Sequence, residues 1–356
     1  MKIYSYFLPQ FHSTPENDEY WGKGFTDWVN TKKAKPLFKN HKQPILPPDK
    51  NFYDLSDLQA NIHINNYSIK KGIDGFGYWH YWFDENTKTL NKVQEIHLSN
   101  KNLKQNFFFA WANTNWTKSW IGEDKTTIFK QTYSKKSAFK HFAYITKFIE
   151  DERYIKINDL PVFQVLNPHL KKAKEYILFL EHLSQEKYGK GFYWFFPVDK
   201  DITGLEGLNH SQVGFPPGDT TVRSFSFRLS RFLQRKNLIK GPVVIKQSNY
   251  LKAFKKNQIN FFKNKTNYIP CLLSGWDNTP RYKRNGFLID GLISDLIRKQ
   301  LSFIKRLNNK SHDIILIKAW NEWAEGNVLE SYSFEGNIDA PLDVIIDFKN
   351  NNKAKN

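Results

Sequence analysis

Eight short runs rich in β-branched and aromatic residues recur along the 356-residue chain, at Ile3–Leu8, Gly75–Trp79, Phe107–Trp111, Pro161–Leu166, Phe192–Val198, Gln212–Phe215, Tyr268–Ser274 and Ile314–Ala319. Short apolar runs of this kind predict strands buried on both faces. The segments between them often carry helical spacing: Leu55 to Lys71, ending at Gly72, then Ser137 to Glu150, Leu170 to Tyr188 and Gly291 to Leu307. Strand and helix alternating eight times predict an α/β fold, a single (β/α)8 TIM-type barrel, with a doubly wound sheet as the alternative. The sixth run is the least regular, because Gly214, Pro216 and Pro217 interrupt it. Neither an internal repeat nor a linker-like stretch divides the chain. One domain over residues 1–347 is expected, followed by a disordered basic tail at 348–356.

The last run ends in Ala319-Trp320-Asn321-Glu322-Trp323-Ala324-Glu325-Gly326. This places two carboxylates, three residues apart and framed by tryptophans, where a buried strand reaches the surface. Glycosidic-bond chemistry needs such a pair: one carboxyl to give a proton, the other to accept one or stabilise positive charge. Tryptophan faces supply an apolar platform for a sugar ring. The alternative is that Glu322 and Glu325 are solvated charges on a first helical turn, favoured there by the helix dipole. Adjacent indole rings argue against that, because they desolvate the carboxylates and raise at least one pKa.

Ten of the eleven tryptophans fall at or beyond predicted strand ends. Trp21 and Trp28 follow the first strand, Trp79 and Trp82 end the second, and Trp111, Trp116 and Trp120 end or follow the third. Trp276 follows the seventh, Trp320 and Trp323 close the eighth, and only Trp194 lies inside a strand. In a barrel the C-terminal strand ends share one face, so these rings are expected around one cleft. Asp74, His80, Asn113, Asn115, Asp277 and Asn278 lie among them as candidate polar partners, and Asn321 precedes the carboxylates. The segment Gln10 to Asp54 is unusually long for a compact domain and reads as a lid or binding loop, with a pinned surface loop as the alternative.

Cys271 is the single cysteine, which excludes an intramolecular disulfide and any multi-cysteine metal site. No His-Glu-x-x-His occurs, and Asp199-Lys200-Asp201 matches the metal-binding Asp-x-Asp pattern only at a length that chance supplies, so neither metal nor cofactor is expected. The formal charge of +18 reads as lysines scattered among asparagines rather than one block. That argues against nucleic-acid binding and leaves peripheral association with an anionic membrane, or a bias of composition. The apolar N-terminal stretch is too short for a signal peptide, and no run reaches the roughly 18 apolar residues of a spanning helix. A soluble cytoplasmic protein is expected, its membrane contact at most peripheral.

Several ordered motifs carry a family resemblance. They are Tyr6-Phe7-Leu8-Pro9-Gln10-Phe11-His12 with Pro15-Glu16-Asn17-Asp18, Trp21-Gly22-Lys23-Gly24-Phe25-Thr26-Asp27-Trp28, Gly72-Ile73-Asp74-Gly75-Phe76 with Tyr78-Trp79-His80-Tyr81-Trp82-Phe83, and Trp111-Ala112-Asn113 with Asn115-Trp116. Together they resemble the WbsX-like family, proteins of bacterial surface-polysaccharide gene clusters that are often labelled glycosyltransferases and are similar to glycoside hydrolase family 99. The latter comprises endo-α-mannosidases and endo-α-mannanases on a (β/α)8 barrel, and its motif Asn-Glu-Trp-His-Glu-Gly is similar to Asn321 through Gly326 here. Ala324 stands in place of that histidine, which bears on substrate identity.

The resemblance implies a retaining reaction assisted by the sugar's own 2-hydroxyl, through a 1,2-anhydro intermediate. Glu322 would be the base at that hydroxyl and Glu325 the acid/base at the glycosidic oxygen. It implies a glycan or lipid-linked oligosaccharide as substrate. A glycosyltransferase of lipopolysaccharide, O-antigen or capsule synthesis is one alternative, and a non-catalytic carbohydrate-binding protein is an alternative of another class.

Overall fold

The computed structural model describes all residues except 119–122, 221–224, 265–266, 308–312, 333–336 and 354–356. Its centre is a barrel of eight parallel strand positions: β1 (Lys2–Phe7), β2 (Gly75–Trp82), β3 (Asn106–Trp111), β4 (Leu160–Val165), β5 (Tyr193–Pro197), β6 (His210–Val213), β7 and β8 (Ile314–Lys318). Strand β7 comes in two pieces, Tyr268–Ile269 and Cys271–Leu273, because Pro270 between them has no N–H to give the ladder. The first piece pairs with β6, the second with β8, and β8 pairs with β1. Pro270 still accepts from the Leu316 amide at 2.9 Å, so nine strand segments form one closed ring of eight. The irregular sixth run keeps a strand only over His210–Val213, leaving the Gly-Pro-rich part to the loop.

The helices are, in chain order, α1 (Pro15–Trp21), α2 (Asp27–Lys33), α3 (Leu58–Lys70), α4 (Lys92–Ser99), α5 (Lys135–Ile149), α6 (Lys171–Tyr188), α7 (Phe225–Arg235), α8 (Gln247–Asn264), α9 (Thr279–Tyr282), α10 (Ile293–Arg306) and α11 (Ala340–Lys353). The connection from β5 to β6 carries no helix. Helix α11 corrects the expected disordered tail. Phe348 packs into the core and Lys349 reaches Asp74 at 2.7 Å, so the helix continues through Lys353. Residues 354–356 lie outside the described residues. No helix among the described residues is long and apolar enough to cross a membrane.

Successive strand side chains alternate between the barrel interior and the helix layer. On β2, Gly77, Trp79 and Tyr81 point inward, whereas Tyr78, His80 and Trp82 point at the helices: Tyr78 bonds His97 of α4, and His80 and Trp82 meet His141 and Ser137 of α5. Gly77 is required by packing, since a Cβ there would lie 2.6 Å from the inward ring of Phe108. On β8 the inward positions end with Lys318, whose ammonium therefore enters the barrel mouth.

Candidate active site

Glu322 and Glu325 sit just beyond β8, at the C-terminal end of the barrel, in a cleft of about 630 Å³. Its walls include Trp79, Tyr81, Trp116, Phe215, Arg281 and Lys318. Trp79 donates its indole N–H to Glu322 Oε1 at 2.8 Å, and its ring stacks on Tyr6 at 5.2 Å. Lys318 Nζ lies 3.7 Å from Glu322 and 3.9 Å from Glu325, over the rings of Phe215 and Trp276 at 5.0 and 4.9 Å. Arg281, from α9, forks between two carboxylates. One arm reaches Asp27 Oδ2 at 3.0 Å and the other pairs with Glu325 Oε1.

These surroundings separate the two acids. Burial pushes Glu322 up to about 7, against the opposing pull of Lys318. Burial would raise Glu325 as well, but Arg281 and then Lys318 outweigh it and hold that carboxyl below the usual range. The two carboxylates also act on each other, each shifting the other's titration. Near neutral pH the pair therefore holds at most one proton, and Glu322 is the more basic of the two.

The other predicted site residues divide by strand parity and depth. Trp79, Trp116 and Asn115 line the cleft. Trp21 stacks on Phe25 with its ring 6.4 Å from Trp116, and Trp276 borders the cleft through Lys318. Trp28 and Trp323 pack against each other at 5.5 Å beneath the carboxylates, both buried. Trp120 lies outside the described residues.

Four expectations of substrate contact are corrected by where the side chains point. His80, Trp82 and Trp111 face the helix layer: His80 Nε2 is 2.8 Å from His141 Nε2, Trp82 stacks on His141, and Trp111 packs on Tyr176 and donates to the Trp82 carbonyl. Burial holds His80 down at about 3, so it is neutral. Asp74 lies at the opposite end of the barrel, where it accepts from the Ile3 amide and pairs with Lys349.

Three polar residues shape the site from behind. Asn113 exchanges hydrogen bonds with the Asn167 backbone. Asp277 accepts from His41 and Gln43, both at 2.8 Å, and so ties the long first loop to the end of β7. Asn321 clamps Leu8, accepting from its N–H at 2.7 Å and donating to its carbonyl at 3.0 Å. Asn321→Ala leaves two buried backbone groups unpaired, and we expect a loss of about 2 kcal/mol in stability. Urea unfolding checks this; an unchanged midpoint would mean that backbone pairing alone holds Leu8.

The long loop is thus a supporting wall rather than a freestanding lid, and it delivers Asp27 to Arg281. Gly326, at φ 56°, closes the motif: a Cβ there would fall 2.8 Å from the Asp277 amide nitrogen, which donates to the Glu325 carbonyl at 2.6 Å. Sequence reasoning missed Asp27, Tyr81, Phe215, Arg281 and Lys318. A signal existed for Lys318, a lone cation closing an otherwise apolar strand at an inward position.

The chain is thus a (β/α)8 barrel with a carboxylate pair at its C-terminal mouth. Solved structures share the fold: a glycoside hydrolase-like protein at TM-score 0.60, covering 98% of this chain and 93% of that one, and the GH99 endo-alpha-mannosidase from Bacteroides thetaiotaomicron at 0.56, covering 99% and 98%, each 11% identical. Residues 3–337 match the family described as glycosyltransferase WbsX, and the chain belongs to that family. The uncharacterized protein WxcX from two strains of Xanthomonas campestris pv. campestris is 29% identical over 344 residues, which cover 92% of this chain. The chain spans about half the length of these relatives, 47%.

Proposed function

We propose that this chain is a carbohydrate-active enzyme that breaks or remakes a glycosidic bond in a bacterial surface polysaccharide or its lipid-linked precursor. What supports it best is two carboxylates in one cleft with opposed surroundings: burial raises Glu322, whereas Arg281 and Lys318 hold Glu325 below the usual carboxylate range. In this reading Glu322 faces the sugar 2-hydroxyl and Glu325 the glycosidic oxygen. A 2-hydroxyl donating to Glu322 stabilises its carboxylate form, and a glycosidic oxygen accepting from Glu325 stabilises its acid form. Both contacts drive the resting proton from Glu322 to Glu325. Glu322 then takes the hydroxyl proton as that oxygen attacks the anomeric carbon, while Glu325 protonates the departing oxygen.

Water opening the 1,2-anhydro sugar gives hydrolysis, and a sugar hydroxyl gives transfer. The family's description as a glycosyltransferase favours transfer as a second reading. The test is to incubate the protein with labelled lipid-linked oligosaccharide, with and without an acceptor sugar, and to separate the products. Neither cleavage nor transfer, with sugar binding retained, would overturn the enzyme reading for a binding protein.

The pair's proton also sets a pH dependence. Activity should fall as pH rises through about 7, where burial places Glu322. Lys318→Met removes a cation that stabilises both carboxylates, so the falling limb should move to higher pH. A limb that stays in place would detach Lys318 from the titration.

A further inference from the structure

Helix α7 (Phe225–Arg235) is built with its apolar side outward. Phe227 and Gln234 fix it to the protein: Phe227 packs on Val243 and Phe287, and Gln234 donates to the carbonyls of Gly241, Arg284 and Gly286. On the far side Phe225, Leu229 and Phe232, at i, i+4 and i+7, form one strip, exposed by 81%, 45% and 56%. Leu238, 72% exposed, lies just past the helix end. An amphipathic helix on a soluble surface turns such a strip toward the core, and an exposed contiguous one marks an interaction site.

Cations border the strip on both sides. The groove along one flank is lined by Arg228, Arg231 and Arg235, and the groove along the other by Lys252 and Lys256 of α8. Between Asp219 and Asp277 the sequence holds twelve Lys or Arg and no Asp or Glu. The charge is therefore not spread evenly along the chain, as the scattered lysines suggested. Two thirds of the net +18 is carried by the segment that displays the apolar strip.

We propose that α7 is a docking helix that lies on an anionic lipid bilayer, with Phe225, Leu229 and Phe232 entering the headgroup region and the flanking Arg and Lys side chains pairing with lipid phosphates. Apolar residues backed by basic flanks are what binding in the plane of such an interface needs. A second copy of the chain fits worse, because an isologous contact through this face would set two cationic rims against each other. The small cluster that seats Phe227 also includes Trp276, whose ring carries the Lys318 ammonium of the cleft, so docking brings the cleft's end of the barrel to the lipid surface. The inference stands on the helix alone and does not depend on the glycan chemistry proposed above.

The test is co-sedimentation of the full chain with vesicles of phosphatidylglycerol and phosphatidylcholine in equal parts, against vesicles of phosphatidylcholine alone. The protein should pellet with the anionic vesicles, less so as salt is added, and stay in solution with the neutral ones. Arg228→Gln with Arg235→Gln should weaken binding about twenty-five-fold, at roughly fivefold per basic residue at an anionic surface. Phe225→Ser with Phe232→Ser should remove it at equal charge. These side chains are exposed, so the urea midpoint should hold and separate lost docking from lost fold. Absent binding to anionic vesicles, binding indifferent to both double variants, or a concentration-dependent dimer that Phe225→Ser with Phe232→Ser dissolves would each overturn the proposal.

Discussion

Glu325→Gln and Glu322→Gln should each lower turnover by roughly a hundred- to ten-thousand-fold while leaving the fold and sugar affinity close to wild type. Glutamine at 322 copies the shape and neutrality of the protonated resting acid and can still accept from Trp79. It cannot pass a proton to Glu325, nor become the base that the 2-hydroxyl needs. Glutamine at 325 keeps one arm of Arg281 on Asp27 but has no carboxyl to protonate the leaving oxygen. Initial rates on the labelled glycan, with affinity measured by calorimetry, separate the outcomes. A near wild-type rate in either variant would remove that residue from the chemistry, whereas changed affinity without any wild-type turnover would point to a binding protein.

The barrel was legible because most of its strands, β6 (His210–Val213) apart, are short runs apolar on both faces, as in a sheet covered on both sides. The carboxylate pair was legible because Glu322 and Glu325 are local to one strand end. Strand parity, equally local, divides the aromatics of β2 and β3. Trp79 is inward and registers with Ala110, while His80 registers with Trp111, so those two face the helices together. Counting strand-end tryptophans without parity put both sets in the cleft. Arg281 and Asp27 are a different case. They are 254 residues apart, and nothing near either announces the other. Their meeting depends on the path of the first loop across the end of β7, which Asp277 holds through His41 and Gln43.

That long-range pair yields the largest effect expected on stability. Asp27 is fully buried and the Arg281 side chain is 9% exposed, so each is the other's main compensation for lost water. Arg281→Met leaves Asp27 with a 3.5 Å contact to Asn30 as its side-chain partner and should cost about 3–5 kcal/mol, the price of stranding one member of a buried pair. Burial already raises the Asp27 pKa against the pull of Arg281, and removing that pull raises it further. A carboxyl whose folded pKa lies above its unfolded value binds more protons when folded, so stability falls as pH rises between the two. The variant should therefore lose more stability at about pH 8 than at about pH 5. Adding Asp27→Asn should flatten that dependence and recover part of the loss, because no buried charge then remains to be ionised. Urea midpoints of the two single variants and the double variant at both pH values close the cycle. Additive losses with no pH slope would mean that Arg281 steadies Glu325 alone.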